Sequence, residues 1–199
     1  IDLRARAFVL RLDSARALGE DVDLTESTLI EHFASQPEVE ADLRLAMAER
    51  RATAGDFATA LVQIDKLTRI ELISNQRVRA LDVRARVLEQ SGDLDRAASV
   101  WADLIATTDP LTPQTQAARL ALADLRTRQG RSEEGLALVT ELLSEDLDDA
   151  LRGRALLVVG HIHERADRLE LARDSWQAIL ALNEPDPENI EAARMALAS

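Results

Sequence analysis

The chain has 199 residues dominated by Ala, Leu, Arg and Glu, with 7 Gly, 5 Pro and 3% aromatics, a balance that favours helix because straight side chains lose little rotamer freedom there. Its 24 Lys+Arg against 36 Asp+Glu give a formal charge of −12, a field that repels phosphate and anionic headgroups and argues against nucleic acid as a main partner. Cys is absent, which excludes disulfides, thiolate metal sites and Cys nucleophiles, and the longest apolar run, Ala155 to Val159 before Gly160 and His161, falls far short of the roughly 18 residues of a membrane span.

In chain order, residues 2–18 and 26–35 carry helical periodicity on either side of an acidic connection from Gly19 to Leu24, with Thr25 as the second helix's cap. They read as a degenerate first hairpin over 1–36. From Pro37 the pattern predicts four helix pairs, 37–54/57–70, 74–91/94–107, 113–129/132–144 and 149–165/169–182. Thr112-Pro113 and Asp186-Pro187 are cap and first-turn pairs, and Pro37 and Ser74 open their own helices. Pro187 to Ala198 then forms a lone helix within 186–199, expected either to cover the open end of the stack or to begin a further repeat. No Pro-rich or Gly/Ser-rich linker interrupts 1–199, so the expectation is one domain. The start at Ile1, without Met or a basic leader, reads as a piece of a longer protein.

The pairs are copies of one another. Gly55, Gly92 and Gly130, with Asp167 in the fourth place, each precede by five residues a small residue: Ala60, Ala97, Gly135 and Ala172. These recur at spacings of 37, 38 and 37 residues, as do the small residues seven before each turn, Ala48, Ala85, Ala123 and Gly160. A helix ended by a left-handed residue, a tight turn and a second helix follow, and small residues on both helices predict close approach across the hairpin. Ile64, Trp101, Val139 and Trp176, then Leu67, Leu104, Leu142 and Ile179, supply the second helices' apolar stripe.

Gly160 with Leu156 and Val159 before it, and Ala172, Trp176 and Ile179 after it, resembles the tetratricopeptide (TPR) pattern, and the resemblance spans residues 37 to 185. The usual aromatic early in the first helix is replaced by Arg44, Leu81, Arg119 or Leu156. The fold implied is all-α, a right-handed α-α superhelix (TPR-like solenoid) of about five helical hairpins plus a C-terminal helix.

Catalytic and metal chemistry find little support. His161 and His163 lie two apart on a helix and so point to different sides, whereas helical zinc pairs lie three or four apart. The carboxylate pairs Asp148-Asp149 and Glu133-Glu134 sit at helix starts, where capping and the helix dipole account for them. Serine-nucleophile motifs and phosphate-binding Gly loops are missing. The expectation is no catalytic residue, no metal and no cofactor. Trp101 and Trp176 occupy equivalent positions and read as core.

What the resemblance implies is a protein or peptide held on the concave face by first helices. That face comprises Asp42, Leu45 and Glu49, then Arg79, Asp82, Arg86 and Glu89, then Leu120, Asp124 and Arg128, then Leu157, His161, Glu164 and Arg165. Glu49, Arg79, Asp82, Arg86, Asp124, Arg128, His161 and Arg165 are the candidate contacts. Their arginines, which can fork onto carboxylates, point to an acidic or C-terminal peptide. Glu49 and Arg86 stand where the carboxylate clamp of chaperone-binding members would have Asn. The alternatives are a self-assembling oligomeric scaffold and a regulatory or sensor domain of a longer protein. The composition is also compatible with the soluble part of a membrane-anchored bacterial envelope protein.

Overall fold

The computed structural model describes Ala7, Leu10, Arg11, Ser14, Leu18 and residues 22–198, and every regular element among them is helical. Ten α-helices follow in order: α1 Val22–Phe33, α2 Pro37–Thr53, α3 Phe57–Lys66, α4 Ser74–Gln90, α5 Leu94–Thr107, α6 Pro113–Arg128, α7 Ser132–Leu143, α8 Asp149–Arg165, α9 Leu169–Leu180 and α10 Pro187–Ala198. The expected helix over 2–18 lies largely outside the described residues. Packing divides the chain into two compact units, residues 1–100 and 101–199, and helices next to one another in sequence form hairpins within each.

One backbone device makes all four hairpin turns. Gly55, Gly92 and Gly130 have φ of +79°, +85° and +78°, and Asp167 reaches 57°, the left-handed region that costs a side-chain-bearing residue about 1–2 kcal/mol. The following amide then reaches back to the helix just ended: Asp56 N to Arg51 O at 2.9 Å, Asp93 N to Leu88 O at 2.9 Å, Arg131 N to Arg126 O at 2.8 Å, and Arg168 N to His163 O at 2.9 Å. This six-to-one closure satisfies a carbonyl that the helix end leaves open. Asp56, Asp93, Thr112 and Asp148 each accept an amide from three residues on, which caps the helix that follows.

In the first unit, Ala48 and Ala60 are fully buried and meet in a cluster with Ile64, Val83 and Val87. Leu29, Ile30 and Phe33 of α1 pack on Val39, Leu43, Ala46 and Met47. Helix α1 starts at Val22, ahead of the cap expected at Thr25. Glu26 is only 2% exposed and paired with Arg50 and Arg51 of α2, which ties this part of α1 to α2. Helix α3 ends at Lys66 and tightens into a 3₁₀ turn over Leu67–Arg69. The tighter turn seats Leu67 among Ala41, Leu45 and Ala80 and lets Ile70 leave extended.

The second unit repeats the scheme with one departure. At Gly135 an added Cβ would stand 2.6 Å from Ala123 O, the close helix approach that the paired small residues predict. At Gly160 the space is taken by the Trp176 indole rather than by backbone, with an added Cβ 2.1 Å from its Nε1. Both tryptophans are buried, Trp101 to 3% and Trp176 to 5% exposure. Helix α10 covers Trp176 and Ile179 with Ala193, and Asn189 Nδ2 donates to Ala150 O at 2.9 Å.

Candidate functional site

Helices α2, α6 and α8 each pack on two neighbours: their own second helix and, beyond it, α4, α8 and α10 respectively. Burial therefore covers a wider stripe than the sequence pattern assigns to the core. Leu45 is fully buried against Leu67 and Ala80, Leu120 is packed with Leu147, Ala155 and Val159, and half-buried Leu157 joins the cluster of Trp176 and Ala193. These three, placed on the open face by sequence reasoning, belong to the core between repeats. They occupy one column of the repeat, at which the second full repeat carries Asp82.

The charged residues stay at the surface. In the first unit Arg79 donates from Nε to Glu49 Oε1 at 3.1 Å and from Nη2 to Oε2 at 2.7 Å, a two-pronged bond from α4 to α2. Arg86 donates from Nη2 to Asp82 Oδ2 at 2.5 Å, one turn along α4. Asp42 Oδ1 accepts from Gln76 Nε2 at 3.0 Å, and the same amide nitrogen donates to Glu38 O at 2.9 Å. Burial raises the Asp82 carboxyl above the usual aspartate value; Arg86 opposes the rise, the Glu49 carboxylate adds to it and Arg79 opposes it again.

In the second unit Arg128 pairs with Asp124 at 3.8 Å along α6. His161 is exposed and meets the Trp176 ring edge-on, centroids 6.2 Å apart. Arg165 is exposed and makes no ion pair among the described residues. Thus Glu49, Arg79, Asp82 and Arg86 come together as one charge network on the first unit, and Asp124 with Arg128 forms a second pair. His161 and Arg165 join no such network.

His163 turns inward, as its two-residue offset from His161 predicts. It is 9% exposed and its Nδ1 has no hydrogen-bond partner. Burial depresses its pKa, Arg168 depresses it further, and Glu133, paired with Arg168 at 3.2 Å, opposes both. No three His, Asp or Glu side chains converge as a metal site among the described residues. Asp148 caps α8 and Asp149 accepts from Glu184 N at 2.8 Å, while Glu134 takes the Arg131 fork at 2.7 Å.

Sequence reasoning missed the polar clamps. Arg44, standing where the aromatic of the TPR pattern would be, donates to Glu40 at 2.8 Å and to Gln63 on α3 at 2.9 Å. Arg119, at the equivalent place, is 9% exposed and reaches Glu145 at 2.5 Å. Glu26 announces itself only by lying three, four and seven residues before Leu29, Ile30 and Phe33, on the buried stripe of α1.

No model of a known protein family matches the sequence, and no curated protein does. Among solved structures the chain is similar to a kinesin light chain-like protein of Podosopora anserina with nearly identical TPR-like repeats. That match has a TM-score of 0.73 at 13% identity and covers 91% of this chain and 96% of that one. A tetratricopeptide repeat protein from Parabacteroides merdae matches with a TM-score of 0.58 at 14% identity, over 96% of this chain and 70% of that one. BtubC from P. vanneervenii matches with a TM-score of 0.55 at 16% identity, over 98% and 80%. With these likenesses beside the recurrent hairpins, the fold of this chain is that of the TPR-like helical repeat proteins.

Proposed function

We propose that this chain is a non-catalytic protein-interaction scaffold that holds a protein or peptide partner on the exposed faces of its first helices. One observation carries the reading: a TPR-like repeat fold, commonly an interaction scaffold, whose first helices leave charged side chains at the surface. The candidate contacts are Glu49, Arg79, Asp82 and Arg86 on the first unit and Asp124, Arg128, His161 and Arg165 on the second. No helix among the described residues is long and apolar enough to cross a membrane.

Photo-crosslinking tests the reading without assuming the partner's charge. A crosslinking residue is placed at Arg86 or Arg128 on first helices, and at exposed Arg96 or Arg173 on second helices. A second protein crosslinked from the first-helix positions alone is the expected result. Crosslinks between copies of the chain would support self-assembly instead, and crosslinks to another protein only from Arg96 or Arg173 would move the surface to the second helices.

A further inference from the structure

The charge of the partner follows from how the first unit's face is already paired. Both arginines expected to receive an acidic peptide have carboxylates of their own: Glu49 fills two donors of Arg79, and Asp82 engages Arg86. An acidic segment would have to displace Glu49 from the less exposed Arg79 fork, and it would bring like charge against both Glu49 and Asp82. Asp42, Glu49, Asp82 and Glu89 against Arg79 and Arg86 leave the face with an acidic excess. The unit as a whole has 14 Lys+Arg against 18 Asp+Glu.

Asp82 supplies an independent argument. Its column is Leu45, Leu120 and Leu157 in the other repeats, where the apolar side chain serves repeat packing. A carboxylate there works against burial, and its raised pKa records that conflict. Local rules broken in this way concentrate at functional positions. Arg86 uses Oδ2 alone, and Oδ1 makes no hydrogen bond among the described residues.

Building on the proposed first-helix interaction face, we propose that the α2–α4 face of the first unit takes a basic peptide segment, a Lys or Arg of which seats on Asp82 and Glu49. The partner's cation meets the acidic excess without breaking the Glu49–Arg79 fork, and the chain's net charge of −12 steers such a partner inward.

The test titrates the full chain by fluorescence anisotropy, at physiological salt, against two labelled random-sequence peptide pools, one enriched in Lys and Arg and one in Asp and Glu. Two double variants carry the same change of charge: Glu49→Gln/Asp82→Asn on the face, and Glu141→Gln/Asp174→Asn at exposed positions on the second unit. Circular dichroism confirms folding, and the single Asp82→Asn variant serves if the double is unstable. The expected result is basic-pool binding weakened about tenfold by the face variant, the scale of one lost charge pair, and less than about twofold by the distant one. Equal weakening by both doubles would mean bulk attraction and overturn the proposal. Acidic-pool binding lost on Arg79→Gln/Arg86→Gln would overturn the partner's charge while leaving the interaction face standing. If binding of neither pool responds to any face variant, the face itself falls with it.

Discussion

Replacing Gly160 with Ala tests the hairpin packing where it is tightest. The new Cβ would stand 2.1 Å from Trp176 Nε1, 2.6 Å from Cδ1 and 2.8 Å from Cε2, so the indole must retreat by about 1.5 Å to reach ordinary contact. It has little room to do so, being 5% exposed and packed with Ala172, Ile179 and Ala193. A clash this deep costs about 2–3 kcal/mol, the upper part of the overpacking range, and the better helix propensity of Ala offsets about 1 kcal/mol of it. The net loss of about 1–2 kcal/mol lowers Tm by roughly 2–8 °C for a chain of this length. Thermal and urea unfolding followed by circular dichroism measure it, first in the natural chain and then with Trp176→Leu. Leu has no ring atoms at the Nε1 and Cε2 positions, so in that background Gly160→Ala is neutral or raises stability by up to about 1 kcal/mol. An unchanged Tm in the natural chain, or the same loss in both backgrounds, would refute the indole-over-glycine packing.

Gly92→Ala separates backbone cost from steric cost: its Cβ meets nothing within 4 Å but inherits a φ of +85°, so calorimetry shows a loss of about 1–2 kcal/mol that no neighbouring substitution rescues. Asp167→Gly relieves the same angle at the fourth turn and raises the urea midpoint by an amount equivalent to about 0.5–1 kcal/mol. Glu26→Gln strips the carboxylate from beneath Arg50 and Arg51 and costs about 2 kcal/mol in urea unfolding, less than a fully buried pair because both arginines are partly exposed. For His163, the folded pKa is depressed below the unfolded value of 6.5, so the unfolded state takes up the proton first. Stability is then complete above that value and is lost as pH falls through it toward the folded pKa; the Tm drop between about pH 7.5 and pH 5 is smaller in His163→Leu, and an equal drop would remove His163 from the account.

Legibility in the sequence followed how narrowly physics restricts a residue. The turns were readable because only Gly, or a short polar residue such as Asp167, sits comfortably at positive φ, and the helix pairs followed from them. Burial of Leu45, Leu120 and Leu157 was not readable. A hairpin viewed alone leaves that column at the edge of the first helix, and only the following first helix covers it. The pairing of charges was less legible still. Glu49 and Arg79 are 30 residues apart, and their two-pronged contact depends on how α2 and α4 are rotated against each other, which periodicity does not specify.

The same distinction separates arginines that maintain the fold from those that face a partner. Arg44 and Arg119 fill an aromatic's place, and each spans its hairpin to Gln63 or Glu145 from a site no more than 12% exposed at the side chain. Their planar donors and long apolar stems do there what a ring would do by packing. Arg86 lies 53% exposed against Asp82, where a pair contributes little to stability because solvent screens it. Its effect is instead to oppose the rise that burial imposes on the Asp82 carboxyl. A basic side chain arriving there finds a carboxylate already desolvated in part, with an oxygen still able to accept, and a neighbouring Glu49 held in place by Arg79. For the proposed basic partner the arginines of the first unit orient acidic groups rather than receive them, whereas the sequence, which shows the cations without their partners, points to an acidic peptide.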